Sequence, residues 1–428
     1  MRRELLTGNA AAAWGARLAE VDYIPAYPIT PQTEIIESLA EWIAQGELAA
    51  RLVTMDSEHS MLTAAGAAAA TGARVFTATS SQGLLYGIEM LYTLAGWRVP
   101  LVLVNVARAV AAPITLEPDH NDVLAARDSG FLQVHVESCQ EVLDAVLIAY
   151  RMAEHADVML PVLVNLDGFY LSFTREPVDI PDPGAVREFL GVYQPTHARF
   201  SASHAMAQGV AVLGGSAYTF FKYQMQRAAE AAQSIHETIA TEFCQCFGRC
   251  YGAVEAYRLD DAEFVIVMSN SFSTVGKAEV ARLRERGEKV GLLRLRLIRP
   301  FPAEEIAWLL NGRRAVAVID QNISIGKGGV LFAEVASALR GAQAPPLVSF
   351  IGGLGGRRFR SDEYDQILVA LQAAPHDGGS SQPHLLYSRT EYDQVCEMLR
   401  IAHGVAPNGN GRAAGGNSDR APGQRVRA

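Results

Sequence analysis

What this chain lacks narrows its class before any motif is read. Across its 428 residues no uncharged apolar run approaches the roughly 18 residues that make a membrane span. Five cysteines are too few for a disulfide framework, and an odd count fits a reducing compartment. The clustered Cys-x2-Cys-x2-Cys spacing that binds iron–sulfur clusters is missing as well. Positive charge is not in excess: 37 Lys and Arg against 46 Asp and Glu leave a formal charge of -9. That balance gives no overall footprint for nucleic acid or an anionic membrane. The opening run MRRELLTGNAAAAWGARLAEV has the arginines of an export signal, but Glu4, Asn9 and Gly15 interrupt its apolar stretch. A cytoplasmic location is the resulting expectation. Charged residues make up only 19% and hydrophobic ones 49%, a balance that suggests buried subunit interfaces.

A chain of this length has room for two or three domains, each with its own core. From Tyr23 to Asn165, short β-rich runs alternate with helical patterns. The order is YIPAYPIT, a helix near Thr33–Gln45, RLVTM, a helix over Glu58–Thr71, RVFTATS, a helix over Leu84–Ala95, PLVLVNVAR, a helix over Cys139–Glu154, and MLPVLVNLD. This alternation predicts an α/β fold over residues 1–175, a doubly wound parallel sheet with helices on both faces. Residues 176–261 break the pattern with the Pro-rich crossover VDIPDPG and a helical run over Tyr218–Phe247, and read as connecting structure. A second α/β block follows over 262–375, built from EFVIVMSNS, a helix over Val275–Arg286, KVGLLRLRLI, AVAVID, a helix over Val330–Leu339, and PLVSFI. Residues 376–403 form an extension. The tail over 404–428 is rich in Gly, Asn, Ala and Arg and is expected to be disordered, because it cannot repay the entropy of ordering.

In open parallel sheets the ligand crevice lies at the carboxyl ends of the strands. Four segments meet that edge: Tyr27–Pro31, Ser57–His59, Thr79–Gly83 and Asn105–Arg108. They would bring a hydroxyl, a carboxylate, a glycine loop and a guanidinium together, a set suited to an anionic organic substrate beside a heterocycle. Read singly, Glu58 could merely complement a helix dipole behind the N-cap Ser57, Thr30 could shape the turn before Pro31, and Arg108 could be a solvated strand end. Ser80, Ser81 and Gly83 could simply open a helix.

The runs AYPITPQTEI, DSEHSMLTAAGAAAATGARVFTATSSQGL, VLVNVARAVAAPI, DHNDVLAARDSGF, LPVLVNLDGF, VGLLRLRLIRPFP and FIGGLGGR resemble the α subunit of pyruvate:ferredoxin oxidoreductases and their 2-oxoacid relatives. The likeness runs in order from about Glu4 to Leu371. It implies a pyrimidine-type thiamine-diphosphate-binding domain followed by a transketolase C-terminal-like domain. It further implies that Glu58 is the cofactor glutamate, bonded to N1′ of the aminopyrimidine, and that Thr30 and Arg108 hold the 2-oxo acid. Pro28, Ile29, Ser80, Ser81 and Gly83 would wall the cofactor pocket. His59 and His120 are given no catalytic role. The spacing of Cys244, Cys246 and Cys250 matches neither ferredoxin run, and these read as buried thiols. IGGLGG resembles a domain-closing turn.

A Gly-Asp-Gly run followed by asparagine, the usual Mg²⁺ site for the diphosphate, is absent. The resemblance therefore implies a β subunit carrying the diphosphate and Mg²⁺ site, [4Fe-4S] clusters on β or on a ferredoxin-like δ subunit, and a γ subunit beside the CoA site. Electrons would pass to ferredoxin, or to NAD as a final acceptor in the alternative reading. One segment departs from the pyruvate enzymes: Thr115–Pro118 stands where they carry tryptophan. An aromatic or branched 2-oxo acid such as phenylglyoxylate is the alternative substrate, and a non-catalytic subunit with a degenerate thiamine fold is the alternative of another class.

Overall fold

The runs Val102–Ala107 and Val162–Asp167 bury every residue, a pattern that arises where helices cover both faces of a parallel sheet. They are the inner strands of the first unit. The computed structural model describes residues 2–195, 199–203, 205–209, 211–341 and 344–403; the expected disordered tail over 404–428 lies outside them. Its elements begin with β1 (Arg2–Thr7), α1 (Gly8–Leu18), β2 (Tyr23–Ala26), α2 (Thr33–Ala44), β3 (Arg51–Thr54), α3 (Glu58–Ala69) and β4 (Phe76–Thr79). Then come α4 (Ser81–Tyr86), α5 (Ile88–Trp97), β5 (Val102–Ala107), α6 (Asn121–Ala125), β6 (Leu132–His135), α7 (Cys139–Ala153) and β7 (Val162–Asp167). The middle of the chain holds β8 (Arg175–Ile180), α8 (Pro183–Leu190) and α9 (Gly215–Phe247). The second unit comprises β9 (Val254–Tyr257), β10 (Phe264–Ser269), α10 (Phe272–Glu285), β11 (Val290–Leu295), β12 (Leu297–Arg299) and α11 (Ala303–Leu310). It continues through β13 (Ala315–Asp320), α12 (Val330–Ala338), β14 (Leu347–Ile351), α13 (Ser361–Asp377), β15 (Ser380–Leu385) and α14 (Arg389–Ala402).

In the first sheet the order is β12-β6-β7-β5-β4, with the parallel pair β2-β3 joined at its β4 end by a bridge from Tyr23 to Val75. The helix expected over Leu84–Ala95 is two helices. Gly87 leaves helical geometry with ψ near 6°, and a side chain there would collide with Leu62. Three features were not legible beforehand. β6 and α6 fill the gap before α7. β1 pairs antiparallel with β8, inside the stretch read as a crossover. β12, from the second unit, closes the first sheet by pairing antiparallel with β6.

The second sheet runs β15-β14-β13-β10-β11-β9, all parallel except β9 against β11. Side chains alternate along β10: Phe264, Ile266 and Met268 pack with α10 and α13, whereas Val265 and Val267 join a core continuous with the first unit. Where the units meet, charge is buried. Fully buried Arg294 forks onto Glu141 at 2.7 and 2.5 Å, and Arg296 donates to the same carboxylate. Burial acts to raise the Glu141 pKa, but the two guanidiniums overcome it and hold the carboxyl below its ordinary value. Among the described residues no helix is long and apolar enough to cross a membrane.

Cys244, Cys246 and Cys250 are not the buried thiols expected. α9 buries Phe243 and Phe247, so the residues between them turn outward. Gly248, at φ 73°, caps the helix in a left-handed conformation that glycine adopts without strain. This returns the chain so that Cys244 and Cys250 form a disulfide, leaving Cys246 exposed.

Candidate active site at the carboxyl edge of the first sheet

Four loops leave the carboxyl ends of β2, β3, β4 and β5, and a different device holds each. The β2–α2 loop carries Pro28, Ile29 and Thr30. Gln32 Nε2 donates to the Tyr27 carbonyl and buried Asn9 Nδ2 to the Pro31 carbonyl, each at 2.9 Å. Gly168 lets this loop lie against β5, since a Cβ there would come within 2.8 Å of Pro31. Pro28 and Thr30 remain exposed and Ile29 half-buried.

Glu58 is the first residue of α3. Ser57 Oγ caps the helix by accepting from Ser60 N at 3.1 Å. Glu58 as a whole residue is only 5% exposed, more buried than a first-turn residue that merely complements a helix dipole at the surface needs to be. The Glu58 side chain lies against Gly83, where a Cβ would collide with Oε1 and sit 2.6 Å from Thr79 Oγ1. Any side chain there would have to displace the Glu58 carboxylate or Thr79.

The β4–α4 turn supplies Thr79 and Ser80, whose buried hydroxyls have no hydrogen-bond partner among the described residues. Ser81 follows with φ near 49°, a region that non-glycine residues enter at a cost of order 1–3 kcal/mol. Its backbone N–H donates to Asp122 Oδ2 at 3.0 Å and its hydroxyl to the Ala109 carbonyl. Arg108, beyond β5, donates from one Nη to the Thr30 carbonyl and from the other to Gln82 Oε1, both at 2.7 Å. It thus ties the first loop to the third. Its Nε is buried without a partner among the described residues. Burial lowers the guanidinium pKa, opposed by Asp122 and Glu58.

Two groups are therefore assembled side by side: Glu58, Thr79 and Gly83, and Thr30, Gln82 and Arg108. Of the expected wall residues, Ser80, Ser81 and Gly83 line the same turn, while Pro28 and Ile29 lie on the β2–α2 loop. Sequence reading missed Asp122. This buried carboxylate accepts from Ser81 N, Asn105 Nδ2 and Arg108 N at 3.0, 3.1 and 3.2 Å, fixing two loops at once. Burial, opposed chiefly by the Asn105 bond, pushes its pKa up to about 6.

His120 is wholly buried, with Nε2 2.9 Å from Asp167 Oδ1. Asp167 also accepts from Asn270 Nδ2 and Ser271 N, so the pair joins the two units. His59 sits 3.5 Å from exposed Glu89. The IGGLGG turn packs on the departing segment: Gly356 N donates to the Pro118 carbonyl at 2.7 Å, and a Cβ on Gly356 would meet Glu117 Cβ at 2.7 Å. Cavities of 340 and 910 Å³ lie around Asp22, Leu48 and Arg74, at the amino ends of the strands and away from this cluster.

A buried carboxylate packed on a glycine, beside two buried hydroxyls without a partner among the described residues, has the chemistry to meet the polar edge of an aminopyrimidine. The guanidinium beside them has N–H groups left for a carboxylate.

Residues 14–241 match the family described as pyruvate flavodoxin/ferredoxin oxidoreductase, thiamine diphosphate-binding. Residues 262–364 match core domain II of pyruvate:ferredoxin oxidoreductase. The chain is 45% identical to pyruvate synthase subunit PorA of Methanocaldococcus jannaschii, over 87% of this chain and 96% of that one. It is 41% identical to ketoisovalerate oxidoreductase subunit VorA of Pyrococcus horikoshii, over 88% and 95% respectively. Its fold is similar to a solved 2-oxoglutarate:ferredoxin oxidoreductase from Magnetococcus marinus with 2-oxoglutarate, coenzyme A and succinyl-CoA bound. That match has a TM-score of 0.67 at 18% identity and covers 86% of this chain and 65% of the other, just under two thirds. With matches this extensive along both units, the chain belongs to the α subunits of the pyruvate:ferredoxin and 2-oxoacid oxidoreductase family.

Proposed function

We propose that this chain is the α subunit of a CoA-acylating oxidoreductase that decarboxylates pyruvate and passes the electrons through iron–sulfur clusters to ferredoxin. The observation that carries the reading is the Glu58–Gly83 contact, a buried glutamate packed directly on a glycine near Arg108. Thiamine diphosphate, when bound, supplies the carbon nucleophile and the electron sink for decarboxylation. Glu58 would hold a proton shared with a ring nitrogen of the cofactor, and Ser80, Ser81, Gly83, Pro28 and Ile29 would wall the ring. Arg108 would orient the substrate carboxylate through its remaining N–H groups, and the Thr30 hydroxyl would contact the 2-oxo group. Asp122 keeps the Ser81 and Arg108 backbones where these roles need them.

The remainder of the machinery is assigned to partners in a cytoplasmic complex. A β subunit would carry Mg²⁺ and the diphosphate site, a ferredoxin-like δ subunit or another partner the [4Fe-4S] clusters, and a γ subunit would complete the CoA site. A second reading, the same chemistry on a branched 2-oxo acid, draws on the VorA relative at 41% identity and on the altered Thr115–Pro118 segment. The test is anaerobic purification of the native complex and a screen of 2-oxo acids with CoA and a viologen dye. Fastest CoA-dependent dye reduction with pyruvate is expected. Preference for 2-oxoisovalerate or phenylglyoxylate would replace the substrate, and turnover without CoA or dye would overturn the reaction class.

A further inference from the structure

Three cysteines gather at the C-terminal end of α9, and two of them are joined. Cys244 and Cys250 are bonded across a sequence separation of 6, with Cα atoms 4.6 Å apart. Cys250 and Cys246 are exposed and Cys244 half-buried. Cys139 differs in every respect: it is buried, its thiol donates to the Thr174 carbonyl, and burial pushes its pKa far above the ordinary value. Such a thiol is chemically inert, whereas the sulfurs at the α9 end can be reached by a reagent in solution.

The disulfide closes a corner with a defined mechanical role. Directly beyond Cys244, Gly248 reverses the chain. The residues around and after Cys250 are then anchored one by one. Arg249 forks onto buried Asp144 of α7 at 2.5 and 2.8 Å, and the Tyr251 hydroxyl donates to the same carboxylate at 2.7 Å. The Gly252 carbonyl accepts from Arg296, a member of the ion cluster between the units. The crosslink therefore sits at the point where α9 of the connecting segment hands the chain to β9 and the second unit.

We propose that Cys244 and Cys250 form a reversible thiol–disulfide site that locks the α9–β9 corner when oxidised and loosens it when reduced. Reduction takes two electrons and two protons from an external dithiol. One thiolate of the reductant attacks Cys250 Sγ, the S–S bond breaks, and Cys244 leaves as a thiolate that takes a proton from water. The second sulfur of the reductant then displaces Cys250, and the reductant departs as its own disulfide. Reoxidation consumes one molecule of hydrogen peroxide. One thiolate takes an oxygen to form a sulfenic acid with release of water, and the other thiol displaces a second water as the S–S bond forms again.

Trypsin makes the site directly readable, because it cuts after Arg227, Arg249 and Arg258. An oxidised site yields Ala228–Arg249 linked to Cys250–Arg258. The full chain is exposed to hydrogen peroxide or to dithiothreitol under native conditions, blocked with iodoacetamide and digested without reductant. The linked pair is expected after peroxide, lost after dithiothreitol and regained on a second exposure to peroxide. Fragment ions should place the bond at Cys244, with Cys246 alkylated throughout. Amide hydrogen exchange over residues 244–248, where Gly248 N donates to the Cys244 carbonyl, should rise on reduction, and Cys244→Ser should show the same rise without reductant. A linked pair that never forms, that survives dithiothreitol, or that leaves hydrogen exchange unchanged overturns the proposal.

Discussion

At the scale of single residues, the site is a contest between burial and charge. Glu58 and Asp122 are both buried carboxyls a few residues from a strand end, yet they serve different ends. Asp122 is saturated by N–H donors of the chain, whereas Glu58 packs against Gly83 and Thr79. Glu58→Gln keeps the shape and removes the carboxylate proposed to share a proton with the cofactor. It should leave the melting temperature nearly unchanged and lower turnover of the complex by about 10²–10⁴-fold, the usual contribution of a positioned acid–base group. Turnover within a few-fold of wild type would remove Glu58 from the chemistry. Arg108 is bound to Thr30 and Gln82 by its two Nη atoms, so its fork is already oriented. Arg108→Lys replaces that fork with a point charge. The loss of a charge-assisted bond worth about 1.5–3 kcal/mol should raise KM for the 2-oxo acid about 10- to 100-fold, with a smaller change in kcat; steady-state kinetics at saturating CoA decides it.

At the scale of elements, loops are fixed by groups far away in sequence, and this limits what reading the chain can reveal. Glu58, Thr30 and Arg108 were legible because each follows an apolar strand run, and the resemblance then gave them roles. Asp122 was not, since its partners Ser81, Asn105 and Arg108 lie 41, 17 and 14 residues away and nothing local marks it. β6 escaped because Gln133 and His135, both buried, break its apolar pattern; Gln133 Nε2 donates to the Val123 carbonyl at 3.1 Å. The crosslink at the end of α9 depended on the left-handed turn at Gly248, which spacing alone does not specify.

The Asp122 pin also predicts a pH dependence. Its pKa is raised from 3.8 to about 6, so the folded chain holds a proton that the unfolded chain releases between those values. Its contribution to stability is therefore complete below about pH 4 and is lost as pH rises through about 6. Activity follows the opposite course, because only the carboxylate accepts well from Ser81, Asn105 and Arg108. Activity should fall as pH drops through about 6. In Asn105→Ala, which removes a bond that lowers the Asp122 pKa, the midpoint should move to higher pH. A pH profile of kcat/KM with an unmoved midpoint, in a variant that melts cooperatively, would refute this account.

At the scale of the whole molecule, several large apolar side chains are exposed on segments that follow the site's strands or lie on the facing second unit. Tyr86, Ile114, Leu116 and Ile325 are exposed by 62, 70, 43 and 85%. If this face receives a partner that completes the cofactor site, the chain alone should bind thiamine diphosphate and Mg²⁺ poorly and reduce no dye, whereas the reconstituted complex should do both. Calorimetric titration of the separate chain measures this, and micromolar binding with turnover by the chain alone would show the site to be complete without a partner. The short strand β12 has a further consequence. It lends the first sheet its outermost strand from beyond the connecting helix, covering an edge of unpaired amides that would otherwise recruit another chain. The two units therefore cannot be parted by a single cut without stripping one of them. A gene divided between them would have to encode pieces that find each other again, and selection has reason to keep them on one reading frame.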